Sequence, residues 1–266
     1  MKLSIPLLLL LSCCAAEMPL FAQDTVYYDI GWKKTDPANA YYLQVRTKSS
    51  VGWNVTDYLH SGKIKLTGAY SDDSMHIRQG EFVTYDSTGY VSNRRIFVNN
   101  KLEGPETFYY PNGQVMMTGN NKNDTTDGEW MGYYASGKSS GKATYKDGKQ
   151  VAIALLNEDG SPKKDISIFR READFPGGPS QWLKFISSSS KYPDQAVIHD
   201  IKGTVYITFK VTKEGKVADV HVDIPVNKYL DKEAMRVIKS SPEWQPAIYG
   251  GIVSDSYKRQ PIIFTF

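Results

Sequence analysis

The chain is poor in the residues that do chemistry. Only two of its 266 residues are cysteine, and both, Cys13 and Cys14, fall in the first segment. A chain cut after residue 22 therefore has no disulfide, no thiolate nucleophile and no cysteine-based zinc site. Histidine is confined to His60, His76, His199 and His221, never at the spacing of a helical metal pair. No Gly-x-Ser-x-Gly, phosphate-loop or dinucleotide pattern occurs, and Pro176-Gly177-Gly178 lacks a strand before it and a Lys-Ser/Thr after it. Asp219 and Asp223 read as a solvated strand face. Nothing here asks for an enzyme, a metal or a cofactor. Net charge is only +3 and no Lys/Arg run is present, so a nucleic-acid partner is not expected.

Long apolar runs are missing too. SIPLLLLLSCCAA (4–16) falls short of the roughly 20 residues that span a bilayer, contains Pro6, and is followed by Glu17 and Pro19. With Lys2 ahead of it, and Leu20 and Ala22 placed for a signal peptidase, 1–22 reads as a cleaved export signal. A lipoprotein signal is the rival reading, with Cys13 as lipid acceptor after Leu10-Leu11-Ser12. An uncleaved anchor is the third.

What is present is a packed, tyrosine-rich chain. Hydrophobic residues are 41% and charged residues 23%, which predicts a folded core rather than disorder. GEFVTYDSTG (80–89), GPETFYYPNG (104–113) and GEWMGYYASG (128–137) form an internal repeat at a 24-residue spacing. Gly80, Gly104 and Gly128 open the units; Gly89, Gly113 and Gly137 close them. Tyr85, Tyr109 and Tyr133 share one phase, as do Phe82 and Trp130, although Glu106 breaks that column. YLHSGKIKLTG (58–68) is a degraded fourth copy. Period-two strands around glycine turns predict stacked β-hairpins. The three tyrosines are read either as a half-buried cross-strand ladder or as rings exposed for stacking on a ligand.

Residues 24–57 read as short strands and turns, and 151–173 as a closing strand and connector. From 174 the texture changes. A helix is predicted from about Pro179 to Ser187, a short one over 193–200, a hairpin over 203–224, an amphipathic helix over 227–240, a rigid bend over 241–251 and a last strand over 256–266. The fold class is α+β: a hairpin-repeat domain over 23–150, a connector over 151–173 and a small mixed domain over 174–266.

The segments FPGG (175–178), KYP (191–193), IKGTVYITFKVTKEGKVADVHV (201–222), LDKEAMRVIKSSPEWQPA (230–247) and PIIFTF (261–266) occur in that order. Together they resemble the TonB C-terminal domain of gram-negative envelope proteins. The repeats are similar to the MORN-type repeat in its G-x-x-x-x-Y-x-x-x-G form. The resemblance implies a small antiparallel sheet with helices on one face, and a non-enzymatic role in support of outer-membrane transport. It also implies capture of an extended peptide, such as a segment of a TonB-dependent outer-membrane transporter or another envelope protein, along an exposed edge strand. That strand carries Arg259, Gln260, Pro261, Ile262, Ile263, Phe264, Thr265 and Phe266. Proline lacks a ladder donor, so Pro261 puts this strand at a sheet edge. The same edge can pair two copies into a homodimer. The expected location is the periplasm or envelope of a gram-negative bacterium, soluble or held by a lipid on Cys13. Energy-coupling relatives have a membrane anchor and a long proline-rich linker; neither is read here, which leaves binding rather than energy transduction. The alternative function is a scaffold that binds cell-wall glycan through Tyr85, Tyr109 and Tyr133.

Overall fold

A computed structural model describes residues 23–86, 88–165 and 167–266. The segment read as an export signal, with Cys13 and the expected cleavage site, lies outside the described residues. The first part of the chain is one antiparallel meander of twelve strands, each hydrogen-bonded to the next in sequence. They are β1 (Gln23–Tyr28), β2 (Tyr42–Ser49), β3 (Gly52–Leu59), β4 (Ile64–Tyr70), β5 (Gly80–Tyr85), β6 (Val91–Val98), β7 (Lys101–Tyr109), β8 (Val115–Lys122), β9 (Thr125–Tyr133), β10 (Ser139–Lys146), β11 (Lys149–Leu156) and β12 (Pro162–Lys163). The sheet is longer than the repeat pattern suggests. Residues 24–57, read as irregular, supply three of its strands.

Two turn types explain the period. At one end of the sheet each hairpin closes with the same pair of backbone bonds, for example Tyr110 N–H to Gln114 O and Gly113 N–H to Tyr110 O. The closing glycines adopt positive φ there, 100° at Gly89, 81° at Gly113 and 84° at Gly137, a conformation costly for any residue with a Cβ. At the other end two-residue turns place Asn99-Asn100, Asn123-Asp124 and Asp147-Gly148 at positive φ. This is the turn chemistry that asparagine, aspartate and glycine favour. That second column also recurs every 24 residues and was legible, but was not singled out in the sequence.

Cross-strand register defines the faces. One row runs Gln44–Asp57–Leu66–Thr84–Asn93–Phe108–Met117–Gly132–Gly141–Leu155. Residues directly opposite share a face, so this row lies on one inner face with Phe82, Glu106 and Trp130. A bulge recurs beside it, leaving Lys65, Ser92, Met116 and Ser140 without an opposite residue. Extra residues of this kind re-aim side chains.

The broken aromatic column has a structural cause. The Phe82 ring lies over Gly68, and the Trp130 ring over Gly119; a Cβ on either glycine would collide with the ring. The residue opposite Glu106 is not a glycine on β6 but Arg95. The glycine opposite Glu106 on its other side, Gly119 of β8, is already covered by the Trp130 ring, so no bare backbone is left for a second ring and a carboxylate occupies the position instead. Glu106 is buried and accepts from Asn121 Nδ2 at 2.9 Å and Asn93 Nδ2 at 3.3 Å, with the Arg170 guanidinium 3.8 Å away.

The rest of the chain forms a second core. Its elements are α1 (Gly178–Ser189), α2 (Asp194–Ile198), β13 (Gly203–Val211), β14 (Val217–Val222), α3 (Lys228–Lys239), β15 (Ala247–Tyr249), β16 (Ile252–Ser254) and β17 (Ser256–Phe264). Val205, Ile207, Phe209 and Val211 alternate along β13 and are buried against Leu230, Ala234, Val237 and Ile238 of α3. Burial of each of the valine, leucine, isoleucine and phenylalanine side chains contributes about 1.5–3 kcal/mol. Asn227 caps α3 by accepting from the Tyr229 N–H, as the N-cap position requires. Phe175, Trp182, Phe185 and Trp244 pack ring on ring beside them. Both glycines of the FPGG segment have positive φ, which only glycine adopts readily.

Two expectations need correction. The segment read as a rigid bend is half of a hairpin, β15 paired with β16 through a Gly250-Gly251 turn. That turn packs on the inner face of the large sheet: Ser140 Oγ donates to Gly250 O at 2.6 Å, and Lys163 Nζ to Gly251 O at 3.3 Å. Asp223 is not solvated. Its carboxylate is 6% exposed and bonds to Arg259 Nε at 2.6 Å. It follows β14, and the Arg259 side chain lies across it.

Candidate functional site

The small sheet has the order β14-β13-β17, so β17 is an edge strand. Hydrogen-bonding direction alternates along an antiparallel strand. Tyr206 O accepts from Asp223 N–H, on the β14 side. Tyr206 lies opposite Pro261, so the Pro261 carbonyl points away from β13, to the open edge. Tyr257, Arg259 and Ile263 share that direction. Proline thus sits at a place where the missing N–H breaks no ladder bond. The open edge is partly self-capped: Gln260 Nε2 donates to Pro261 O at 2.7 Å, and Gln260 Oε1 accepts from Trp182 Nε1 at 2.7 Å. A cavity of about 170 Å³ lies beside this strand, lined by Phe175, Trp182, Trp244, Lys258, Arg259 and Gln260.

The side chains expected along this strand divide into three groups. Ile262 and Phe264 belong to the core and face α3's layer. Ile263 and Phe266 are exposed, Phe266 stacked on Tyr192 at 4.7 Å between ring centroids. Pro261 and Thr265 are exposed as well. Arg259 is committed to the junction with the large sheet: besides Asp223, its guanidinium donates to Tyr42 Oη at 2.7 Å and lies over the Tyr206 and Tyr41 rings. Burial raises the pKa of both Tyr41 and Tyr42. No spacing rule in the sequence linked residue 42 to residue 259.

Tyr85, Tyr109 and Tyr133 each follow an inner-row residue, so they lie on the outer face, on alternate strands and half-buried. The Arg94 guanidinium, paired with Glu81 at 3.0 Å, lies near Tyr85 and Tyr109. The neighbouring tyrosines have the structural role: Tyr110 Oη donates to Tyr133 O, and Tyr134 Oη to Leu156 O, stapling one hairpin to the next. Burial pushes the Tyr110 phenol up to about 12.

The family model described as Gram-negative bacterial TonB protein C-terminal matches residues 188–266, and the MORN repeat variant matches residues 102–123 and 126–147. MORN-type repeats followed by a TonB-like C-terminal domain describe this chain. No curated protein matches it. Among solved structures, "Crystal structure of GtfA/B complex bound to UDP and GlcNAc" aligns with 52% of this chain and 26% of that one, at 11% identity and a TM-score of 0.20. A likeness that low carries no argument. The TonB-like domain over 188–266 supports a TonB-like envelope protein and is the feature that points to the gram-negative envelope. No helix among the described residues is long and apolar enough to cross a membrane.

Proposed function

We propose that this chain is a non-enzymatic envelope protein that captures an extended segment of another envelope protein, such as a TonB-dependent outer-membrane transporter, by adding it as a strand to β17. The observation that carries the reading is the open edge of β17, whose backbone groups at Tyr257, Arg259 and Ile263 have no neighbouring strand among the described residues. Main-chain bonds then supply affinity, and the aromatic cavity beside Gln260 supplies selectivity. A partner strand displaces Gln260 Nε2 from Pro261 O, so the cap sets a threshold for binding. On this reading the chain works as two units, the repeats over 23–150 and the strand-capturing unit over 174–266. It is exported and acts in the periplasm in support of outer-membrane transport.

A photo-cross-linking residue at Tyr257, in cells, tests this. The expected product is a conjugate with an outer-membrane transporter, reduced about tenfold when Ile263→Pro removes an edge donor and crowds the edge. Cross-linking only to a second copy of the chain would replace the proposal with a homodimer through β17. No change on Ile263→Pro would sink edge addition altogether.

A further inference from the structure

The inner face of the large sheet is covered in one half and open in the other. Over β7–β11 it is filled by Phe169 from the connector, fully buried among Met117, Trp130, Ala143 and Leu155, and by the Gly250-Gly251 turn. Over β2–β4 the same face opens into a cavity of about 600 Å³ whose walls include Tyr28, Trp32, Gln44, Arg46, Asp57 and Tyr70. That volume is in the range of small-ligand sites.

The floor of this cavity is polar where a sheet core is normally apolar. Gln44 and Asp57 are both buried, 6% and 5% exposed. They form a chain: Arg46 NH2 donates to Tyr28 Oη at 2.8 Å, Arg46 Nε to Gln44 Oε1 at 2.7 Å, and Gln44 Nε2 to Asp57 Oδ1 at 2.8 Å. Among the described residues nothing donates to Asp57 Oδ2. That oxygen is reachable from the open cavity rather than sealed in the core, so a hydroxyl donor can take it up.

The rim is strained. Among the described residues, Trp32 (φ 63°) and Met75 (φ 59°) are the positive-φ positions occupied by neither glycine, asparagine nor aspartate, and both line this cavity. In its turn, with Asp29 N–H to Lys33 O and Trp32 N–H to Asp29 O, Trp32 stands where Gly62, Gly113 and Gly137 stand in the equivalent hairpins. A side chain there costs roughly 1–2 kcal/mol, and such strain collects at ligand sites. The ring it positions is stacked on Tyr42 at 4.2 Å and still 40% exposed.

We propose that this cavity binds a neutral saccharide, one pyranose face on Trp32 and its hydroxyls on Asp57 Oδ2 and the Gln44–Arg46 chain. A cationic guest is disfavoured because Lys65 Nζ already lies 4.7 Å from the Trp32 centroid and 4.1 Å from the Tyr42 centroid, with Arg46 in the wall. An anion meets Asp57. A ligand with one apolar face and several hydroxyl donors fits what remains. The site lies on the face opposite the outer-face tyrosines and does not use the open backbone edge of β17, although Arg259 of that strand holds the Tyr42 ring on which Trp32 stacks.

The test is calorimetric titration of the mature chain with cellobiose, maltose and chitobiose, and with tetramethylammonium as the cationic probe. At least one disaccharide is expected to bind. Asp57→Asn, which keeps the Gln44 bond, weakens it about tenfold or more. Trp32→Gly removes the ring at a position glycine prefers, so the fold persists by circular dichroism while sugar binding is lost. Failure of all three disaccharides to bind, unchanged binding by both variants, or preference for tetramethylammonium would each overturn the proposal.

Discussion

Replacing Glu106 by tryptophan sets the repeat pattern against the tertiary structure. Judged by the repeat alone, Glu106→Trp completes the column of Phe82 and Trp130 and should stabilise. The packing argues the reverse. Each ring in that column lies on a glycine of the preceding strand, Gly68 or Gly119, whereas Glu106 faces Arg95. The substitution leaves the Asn121 amide without its acceptor, at a cost of about 1–3 kcal/mol. It also strips Arg95 of a neighbouring carboxylate. Arg95 is half-buried, which lowers its pKa, and its Nε is buried with no hydrogen-bond partner among the described residues. Arg95 and Arg170, the latter 3.8 Å from Glu106, are partly buried cations whose loss of that carboxylate costs about 1–3 kcal/mol, and forcing in a ring where Gly119 is already covered by Trp130 adds about 1–3 kcal/mol. Against this stands about 1.5–3 kcal/mol from burying the new ring. Taking the middle of each range, the net expectation is a loss of about 4 kcal/mol, a fall of roughly 8–16 °C in Tm at this chain size. Urea unfolding followed by circular dichroism measures it. Arg95→Gly combined with Glu106→Trp rebuilds the ring-on-glycine arrangement and should be about 1–3 kcal/mol more stable than the sum of the single changes. A Glu106→Trp variant as stable as the parent, or a double variant no better than additive, refutes the argument.

Two further outcomes are expected. Gly132→Val places a Cβ 2.6 Å from Ser140 Oγ and 2.7 Å from Gly250 O, so it should dislodge the β15–β16 turn from the large sheet. Limited proteolysis would then cut the chain between 163 and 173, where the parent resists. Burial pushes Lys65 down to about 8, with Arg259 adding to the shift and Asp57 opposing it. Between that pH and the ordinary lysine value of 10.5 the unfolded chain holds more protons than the folded one, so stability rises with pH across the window. Lys65→Met should remove that part of the rise, so that the variant's stability curve is flatter and the parent-minus-variant difference grows with pH in unfolding at about pH 7.5–10.5.

Local rules carried much of the fold. The hairpins were readable because a positive-φ turn selects glycine or asparagine whatever surrounds it, as at Gly89, Gly113 and Gly137. β13, α3 and β17 were readable because burial on one face imprints a period of two or 3.6. Pro261 announced an edge because a missing N–H is a property of the residue itself. The last strand's side chains were harder: alternation separated Ile262 and Phe264 from Ile263, but gave no sign that Arg259 is held by Asp223 and Tyr42.

What the tertiary structure alone decided are meetings between distant residues. Glu106 looked like a defect until Arg95 was found opposite. The 241–251 segment looked like a bend until its glycines were found against Ser140 and Gly132. Gln44, Asp57 and Trp32 carried no motif, since a polar residue on a strand reads as solvent-facing unless the inner face is known to be uncovered there. The sequence by itself determined backbone conformation and periodicity, which depend on neighbours along the chain. Which charges pair, which turn plugs the sheet and which half of its face stays open depend on how the second core packs on the first, and no local pattern encodes that.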